Sequence, residues 1–172
     1  MDIKERIGMK LGLIGLGVMG KPMAKNLLKA GYDLTVSDHN ESPVDELVTL
    51  GAKKAANGRE IARQCDVILT MLPNSPQVKD VVLGRDGVLE SVKAGAYLID
   101  MSSINPIASR EIAAKLAEKG VEMLDAPVSR RRLTAPWRLW WAAKKTCLTN
   151  FSRCWPQWAP RWSIAAKSGP AM

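Results

Sequence analysis

The chain is poor in the residue types from which metal sites and disulfide frameworks are built. It has one histidine and three cysteines in 172 residues, and the cysteines form no CxxC pair. These scarcities exclude a zinc finger and a disulfide-stapled secreted scaffold. We therefore expect no metal site and a reducing, cytoplasmic location.

Long apolar runs are also missing. No stretch approaches the roughly 20 apolar residues that a membrane-spanning helix requires. Residues 1–8 are charged and lack the apolar centre of a secretory signal. We expect no membrane partner.

Acidic residues are absent from the C-terminal quarter of the chain. All seventeen lie at or before Asp125, whereas residues 130–172 carry nine Lys or Arg and all six Trp. The net charge of +8 is a property of this tail, since residues 1–129 hold sixteen basic and seventeen acidic side chains. A charge this high usually indicates nucleic acid as partner. The near-neutral residues 1–129 do not support one, and we expect none.

Residues 9–129 alternate between apolar runs and helical periodicity. We expect strands over 10–15, 33–37, 67–71, 97–100 and 122–126. We expect helices over 21–30, 42–50 and 106–119, a short helix whose end lies at 61–64, and another helix from 75 onward. Gly31 is expected to end the first helix and Ser42 to cap the second. This order predicts an α/β fold, a Rossmann-like doubly wound parallel sheet covered on both faces.

A glycine-rich turn follows the first predicted strand. It consists of Gly15, Leu16, Gly17, Val18, Met19 and Gly20, and Asp38 ends the next strand about 20 residues later. That context is typical of a dinucleotide-binding turn, in which Gly15 permits the tight turn, Gly17 admits a pyrophosphate and Gly20 lets helix and strand pack closely. Asp38 can accept hydrogen bonds from ribose hydroxyls and would repel a 2′-phosphate. The sequence predicts NAD over NADP, a preference that a protonated His39 would soften.

Other candidates follow the remaining strands, because open parallel sheets bind ligands at their carboxyl edge. They are Leu72 and Pro73 after the third strand, Ser102 and Ser103 after the fourth, and Ser129 after the last. Serines at such positions are also frequent helix caps, and Ser103 is a candidate cap for the helix at Pro106.

Four segments together resemble the β-hydroxyacid dehydrogenase family in order and spacing: GLIGLGVMGKPMAKNLLKAG, CDVILTMLPNSPQV, LIDMSSINP and LDAPVS. The resemblance covers residues 9–129 and implies an NAD(P)-binding Rossmann domain like that of 6-phosphogluconate dehydrogenase. It implies cofactor contacts at residues 15–20, Leu72, Pro73 and Ser103, and substrate contacts at Ser102, Ser103 and Ser129. The implied reaction is NAD(P)-dependent reduction of a small 2-hydroxy-3-oxo acid to glycerate, with a 3-hydroxyisobutyrate dehydrogenase-like reaction as the alternative.

The family pattern continues DAPVSGG, whereas this chain reads DAPVSRRR. We interpret residues 130–172 as the correct DNA read in the wrong frame. Reverse translation in the shifted frame converts residues 136–145 to LAVMVGGEE and 162–172 to VHCGEIGAGN, and both products resemble the family in the right order. One alternative is a non-catalytic dinucleotide-binding module. Another is a genuine basic, Trp-rich tail that binds membrane or nucleic acid.

On this interpretation the C-terminal helical domain is missing, and the catalytic lysine of the family lies beyond the end of the chain. We therefore expect no catalytic residue and no reductase activity, and oligomers only of the intact enzyme. Residues 1–8 are expected to be an extension or a mis-assigned start, because the family begins at the equivalent of Met9 and Lys10.

Overall fold

The computed structural model describes residues 9–127, which contain a six-stranded parallel sheet. Its strands are β1 (Lys10–Ile14), β2 (Asp33–Ser37), β3 (Lys53–Lys54), β4 (Val67–Thr70), β5 (Tyr97–Asp100) and β6 (Glu122–Asp125). Their order is β3-β2-β1-β4-β5-β6, so β1 lies inside the sheet. The chain changes direction across the sheet between β1 and β4, so the carboxyl ends of these two strands form a crevice of the kind that binds ligands. The predicted Rossmann-like fold is confirmed.

Six helices connect the strands: α1 (Gly20–Lys29), α2 (Glu41–Thr49), α3 (Gly58–Gln64), α4 (Ser75–Leu83), α5 (Val88–Ser91) and α6 (Pro106–Ala117). Gly31 ends α1 as predicted, with a φ of 82°. Its N–H donates to Leu28 O at 2.9 Å and that of Tyr32 donates to Leu27 O at 3.2 Å, the double hydrogen bond of a Schellman motif.

Two apolar layers cover the sheet. On one face, Leu11 and Leu13 of β1 pack with buried residues of α1 and α2; on the other, Ile14 packs with those of α3, α4 and α6. The helix α3 packs closely on Gly12, where a Cβ would overlap the side chain of Ile61. The Rossmann layers thus hold the carboxyl edge of the sheet as a rigid platform.

Asparagine side chains cap four of the helices. The residues are Asn40, Asn57, Asn74 and Asn105 at α2, α3, α4 and α6. The predictions that Ser42 and Ser103 cap α2 and α6 are wrong. Asn40 and Asn105 occupy these N-cap positions, and the side chain of each accepts one free N–H group of its helix. Ser42, for example, donates its N–H to Asn40 Oδ1 at 3.1 Å.

The structure adds two short elements that we did not predict, β3 and α5, and it shortens others. Predicted strands 67–71 and 122–126 end one residue earlier, and the helix predicted to reach residue 119 ends at Ala117. Within residues 9–127, no helix is both long and apolar enough to cross a bilayer. Residues 1–8, Ser129 and the tail 130–172 lie outside the described residues.

Candidate functional site

A cavity of about 140 Å³ opens at the carboxyl ends of β1 and β2. Gly15, Asp38 and Leu72 line it, three residues that the sequence had placed at separate strand ends. The far wall comes from the turn between α4 and α5, including Arg85 and Asp86. The predicted candidates Gly15, Asp38 and Leu72 therefore meet at one edge of the sheet, and the α4–α5 wall is an addition that sequence reasoning missed.

The glycine turn is built on two glycines that the protein itself requires. Gly15 has a φ of 97°, and its N–H donates to Ser37 O at 3.0 Å. A Cβ on Gly15 would overlap Met71 O, and a Cβ on Gly20 would overlap Gly15 O. These contacts hold β1, α1 and the end of β4 at backbone-to-backbone distance, which only glycine permits.

Gly17 differs from both. It is exposed, and a Cβ there would meet no protein atom within 4 Å. Nothing in residues 9–127 therefore demands a glycine at this position. Open space over bare backbone, beside a helix N-terminus, fits a ligand that approaches the main chain closely, as a pyrophosphate does.

The N-terminus of α1 is also left open. Met19 at the N-cap makes no side-chain hydrogen bond, and no acidic residue lies in the first turn. The asparagine-capped helices α2, α3, α4 and α6 lack this opening. Because free N–H groups and the positive end of the helix dipole attract anions, this end of α1 can hold a phosphate group. Val18, 75% exposed, flanks it.

Asp38 joins the end of β2 to the glycine turn. Its Oδ2 accepts the N–H of Leu16 at 2.5 Å, and its Oδ1 accepts that of Asn40 at 2.8 Å. An ionised carboxylate has about four acceptor positions, so capacity remains for ribose hydroxyls. The bond to Leu16 was not foreseen, and it means that Asp38 also shapes the turn. His39 is exposed and lines the cavity.

A buried polar cluster lies where β4 and β5 end. The Asp100 Oδ1 accepts Thr70 Oγ1–H at 2.9 Å and the Ser102 N–H at 3.0 Å, and Ser102 Oγ accepts the Leu72 N–H at 2.9 Å. Burial raises the pKa of the Asp100 carboxyl, against the opposing hydrogen bonds from Ser102 and Thr70. We did not predict these contacts; the one signal for them was an aspartate ending an apolar strand.

The predicted serines are placed differently. Ser102 is 1% exposed, with its hydroxyl bonded to Leu72 N–H, whereas Ser103 and Pro73 are exposed beside the crevice. Ser129 lies outside the described residues. Within the described part of the chain, no three His, Cys, Asp or Glu side chains group as metal ligands.

Comparison with known proteins agrees with this geometry. Residues 10–135 match the family described as the NAD binding domain of 6-phosphogluconate dehydrogenase. The chain is 46% identical over 120 residues to 2-(hydroxymethyl)glutarate dehydrogenase of Eubacterium barkeri, covering 70% of this chain and 40% of that protein. It is 45% identical over 122 residues to 2-hydroxy-3-oxopropionate reductase of Escherichia coli, covering 70% of this chain and 41% of that protein.

Among solved structures, 3-hydroxyisobutyrate dehydrogenase from Salmonella typhimurium superposes with a TM-score of 0.75 at 31% identity. The match covers 84% of this chain and 51% of that one. The chain thus spans about two fifths of the length of the curated relatives that it matches. The glycine turn, the strand order and the matched residues agree, and the chain belongs to the family of the 6-phosphogluconate dehydrogenase NAD binding domain, with β-hydroxyacid dehydrogenases among its relatives.

Proposed function

We propose that residues 9–129 form a domain that binds a nicotinamide dinucleotide, NAD(H) in preference to NADP(H), in the crevice between β1 and β4. The observation that carries the proposal is Gly17. No contact within residues 9–127 requires a glycine at this position, and its open face lies beside the uncapped end of α1. Within residues 15–20, the backbone N–H groups of residues 17–20 would donate to a pyrophosphate seated there, since those of Gly15 and Leu16 already donate to Ser37 and Asp38.

The other contacts follow from the cavity. Asp38 would accept hydrogen bonds from the adenosine ribose, and its charge would oppose a 2′-phosphate. Leu72 and Pro73 would form the wall that follows β4, with Ser103 at the neighbouring strand end. The support for this arrangement is that Gly15, Asp38 and Leu72 line one cavity.

For the intact protein we propose reduction of 2-hydroxy-3-oxopropionate to glycerate, with oxidation of 3-hydroxyisobutyrate by the oxidised cofactor as the alternative reaction. The 45% identity to a 2-hydroxy-3-oxopropionate reductase supports this choice. A bound reduced nicotinamide would supply the hydride. The exposed Ser103, with Ser129, would donate hydroxyl hydrogen bonds to the substrate carboxylate, while the buried Ser102 would contribute by holding its loop.

We propose further that the 172-residue chain binds cofactor without reducing substrate. The reaction needs a placed general acid, typically worth 10²–10⁴-fold in rate. Two lysines that follow cofactor segments in the sequence form ion pairs elsewhere, Lys21 with Glu46 and Lys79 with Glu111. This proposal rests on the frameshift interpretation of residues 130–172, which resequencing of codons 127–135 tests directly.

Two assays on the full chain test the function. Calorimetric titration should give binding of NAD or NADH that is tighter than binding of NADP; absence of any dinucleotide binding would refute the first proposal. NADH oxidation with 2-hydroxy-3-oxopropionate should not exceed a no-enzyme control. A measurable rate would show that the chain supplies its own general acid.

A further inference from the structure

The carboxyl group of Asp100 is buried beyond what strand packing explains. Asp100 ends β5 and is 0% exposed, yet its Oδ2 has no hydrogen-bond partner within residues 9–127. Its Oδ1 accepts both the Thr70 hydroxyl and the Ser102 N–H. Because a buried, half-satisfied carboxylate is costly, a side chain that did nothing but fill this space would be better apolar.

Ser102 carries the effect of Asp100 to the next loop. The bond from Ser102 N–H to Oδ1 fixes the backbone two residues beyond Asp100, and that fixes where the Ser102 hydroxyl lies. The hydroxyl oxygen then accepts the N–H of Leu72 at 2.9 Å. Two hydrogen bonds in series therefore connect the end of β5 with the segment that follows β4.

Leu72 lies on the wall of the dinucleotide cavity, together with Gly15 and Asp38. Met71, just before it, donates its N–H to Ile14 O at 2.9 Å, and its carbonyl oxygen lies 2.3 Å from the position that a Cβ on Gly15 would occupy. The segment 71–72 is thus packed directly on the glycine turn. A displacement of Leu72 would change the shape of the cavity beside that turn.

Ser103, on the other side of Ser102, is exposed at the same edge. Its loop is tied to the start of α4 by the Asn105 N–H, which donates to Ser75 Oγ at 3.0 Å. We infer that Asp100 is a positioning residue that, through Ser102, holds the Leu72 wall and the Ser103 loop in one arrangement. The inference rests on the proposed dinucleotide function.

The experiment must separate positioning from simple stability. Ser109, a buried serine of α6 that takes no part in these bonds, provides the matched control S109A. S102A removes the acceptor for Leu72 N–H, and D100A removes the acceptor for Ser102. D100N keeps Oδ1 and has an NH2 group in place of Oδ2. It should therefore restore the acceptor for Ser102 N–H that D100A lacks.

Two readouts on the full chain decide the question. Hydrogen exchange of the Leu72 amide, measured by ¹⁵N NMR without cofactor, should quicken about tenfold in S102A and D100A, with Met71 unchanged as internal reference. The NAD dissociation constant should rise about tenfold in S102A and D100A relative to the wild-type chain. It should stay within about threefold of the wild-type value in D100N and be unchanged in S109A.

Several outcomes would overturn the inference. These are a Leu72 amide still protected in S102A, an equal loss of NAD affinity in S109A, or a D100N variant as impaired as a folded D100A. If circular dichroism shows that D100A is unfolded, the results for S102A and D100N decide the question without it. If the wild-type chain binds no NAD, the proposed function fails, and Leu72 exchange still tests whether Asp100 and Ser102 fix that segment.

Discussion

Substitution of Gly17 by alanine should separate ligand binding from folding in a way that its neighbours cannot. A Cβ at Gly17 would meet no other atom of the described part of the chain within 4 Å, whereas a Cβ at Gly20 would overlap the carbonyl oxygen of Gly15. The backbone at Gly17 is also outside the left-handed region, so alanine adopts it without strain. G17A should therefore not lower the stability of the protein without ligand. G20A is the matched variant that should lower it.

The expected magnitudes follow from these two environments. Replacing a glycine at a compatible backbone position stabilises a protein by about 0.4–1 kcal/mol through the unfolded state, so G17A should melt at or slightly above wild type. G20A forces overpacking against backbone and should lose about 1–3 kcal/mol or more. NAD binding by G17A should nevertheless weaken, because its methyl group fills the space that the pyrophosphate needs. A penalty of about 1–3 kcal/mol corresponds to roughly 5- to 150-fold weaker binding.

The assay pairs thermal unfolding, followed by circular dichroism, with calorimetric NAD titration of the same preparations. Wild type, G17A and G20A are compared in one buffer. Wild-type affinity in G17A would refute the reasoning, because no ligand atom could then approach the residue 17 backbone. A melting temperature for G17A as low as that of G20A would also contradict it, since the protein would then require glycine there.

Three further outcomes are expected. D38N, which keeps an acceptor for Leu16 N–H, should narrow the preference for NAD over NADP in paired titrations; tighter NADP binding by wild type would contradict the role of Asp38. Deleting residues 130–172 should leave the melting temperature within a few degrees, and a larger fall would show that this segment makes stabilising contacts. Burial raises the pKa of Asp100, so the folded state holds this proton more tightly, and stability should fall as pH rises from about 3.9 through the raised value. D100N has no proton to lose at this position, so its melting temperature should rise relative to that of wild type over the same pH range. A difference in melting temperature that does not change with pH would show that ionisation of Asp100 does not affect stability.

Local sequence pattern was sufficient for the main elements of the fold. The strands 33–37 and 97–100 were predicted with the bounds observed, because apolar runs between turn residues specify buried parallel strands. β3 could not be predicted in this way. Its residues, Lys53 and Lys54, are polar and exposed, and they form a strand only by pairing with Thr35 and Val36.

The candidate site likewise has one part that local sequence predicts and another part that it does not. The glycine turn is contiguous in sequence, so its six residues could be identified together. The bonds from Thr70 to Asp100 and from Leu72 to Ser102 each join residues 30 apart. Such pairs meet only after a helical crossover returns the chain to the sheet, and no local pattern encodes which side chain then turns inward. For this reason the sequence does not distinguish Ser102 from Ser103, although Ser102 is buried and Ser103 is exposed.

The double hydrogen bonding of Asp38 constrains how cofactor preference can change in this chain. The carboxylate that would repel a 2′-phosphate is also the acceptor for Leu16 N–H, inside the turn itself. Exchanging it for arginine or alanine would remove the repulsion and at the same time leave a turn amide unpaired. A change of the proposed NAD preference to NADP would therefore require at least two coordinated substitutions, or a residue such as asparagine that still accepts the amide. The proposed cofactor preference and the shape of the glycine turn depend on the same side chain.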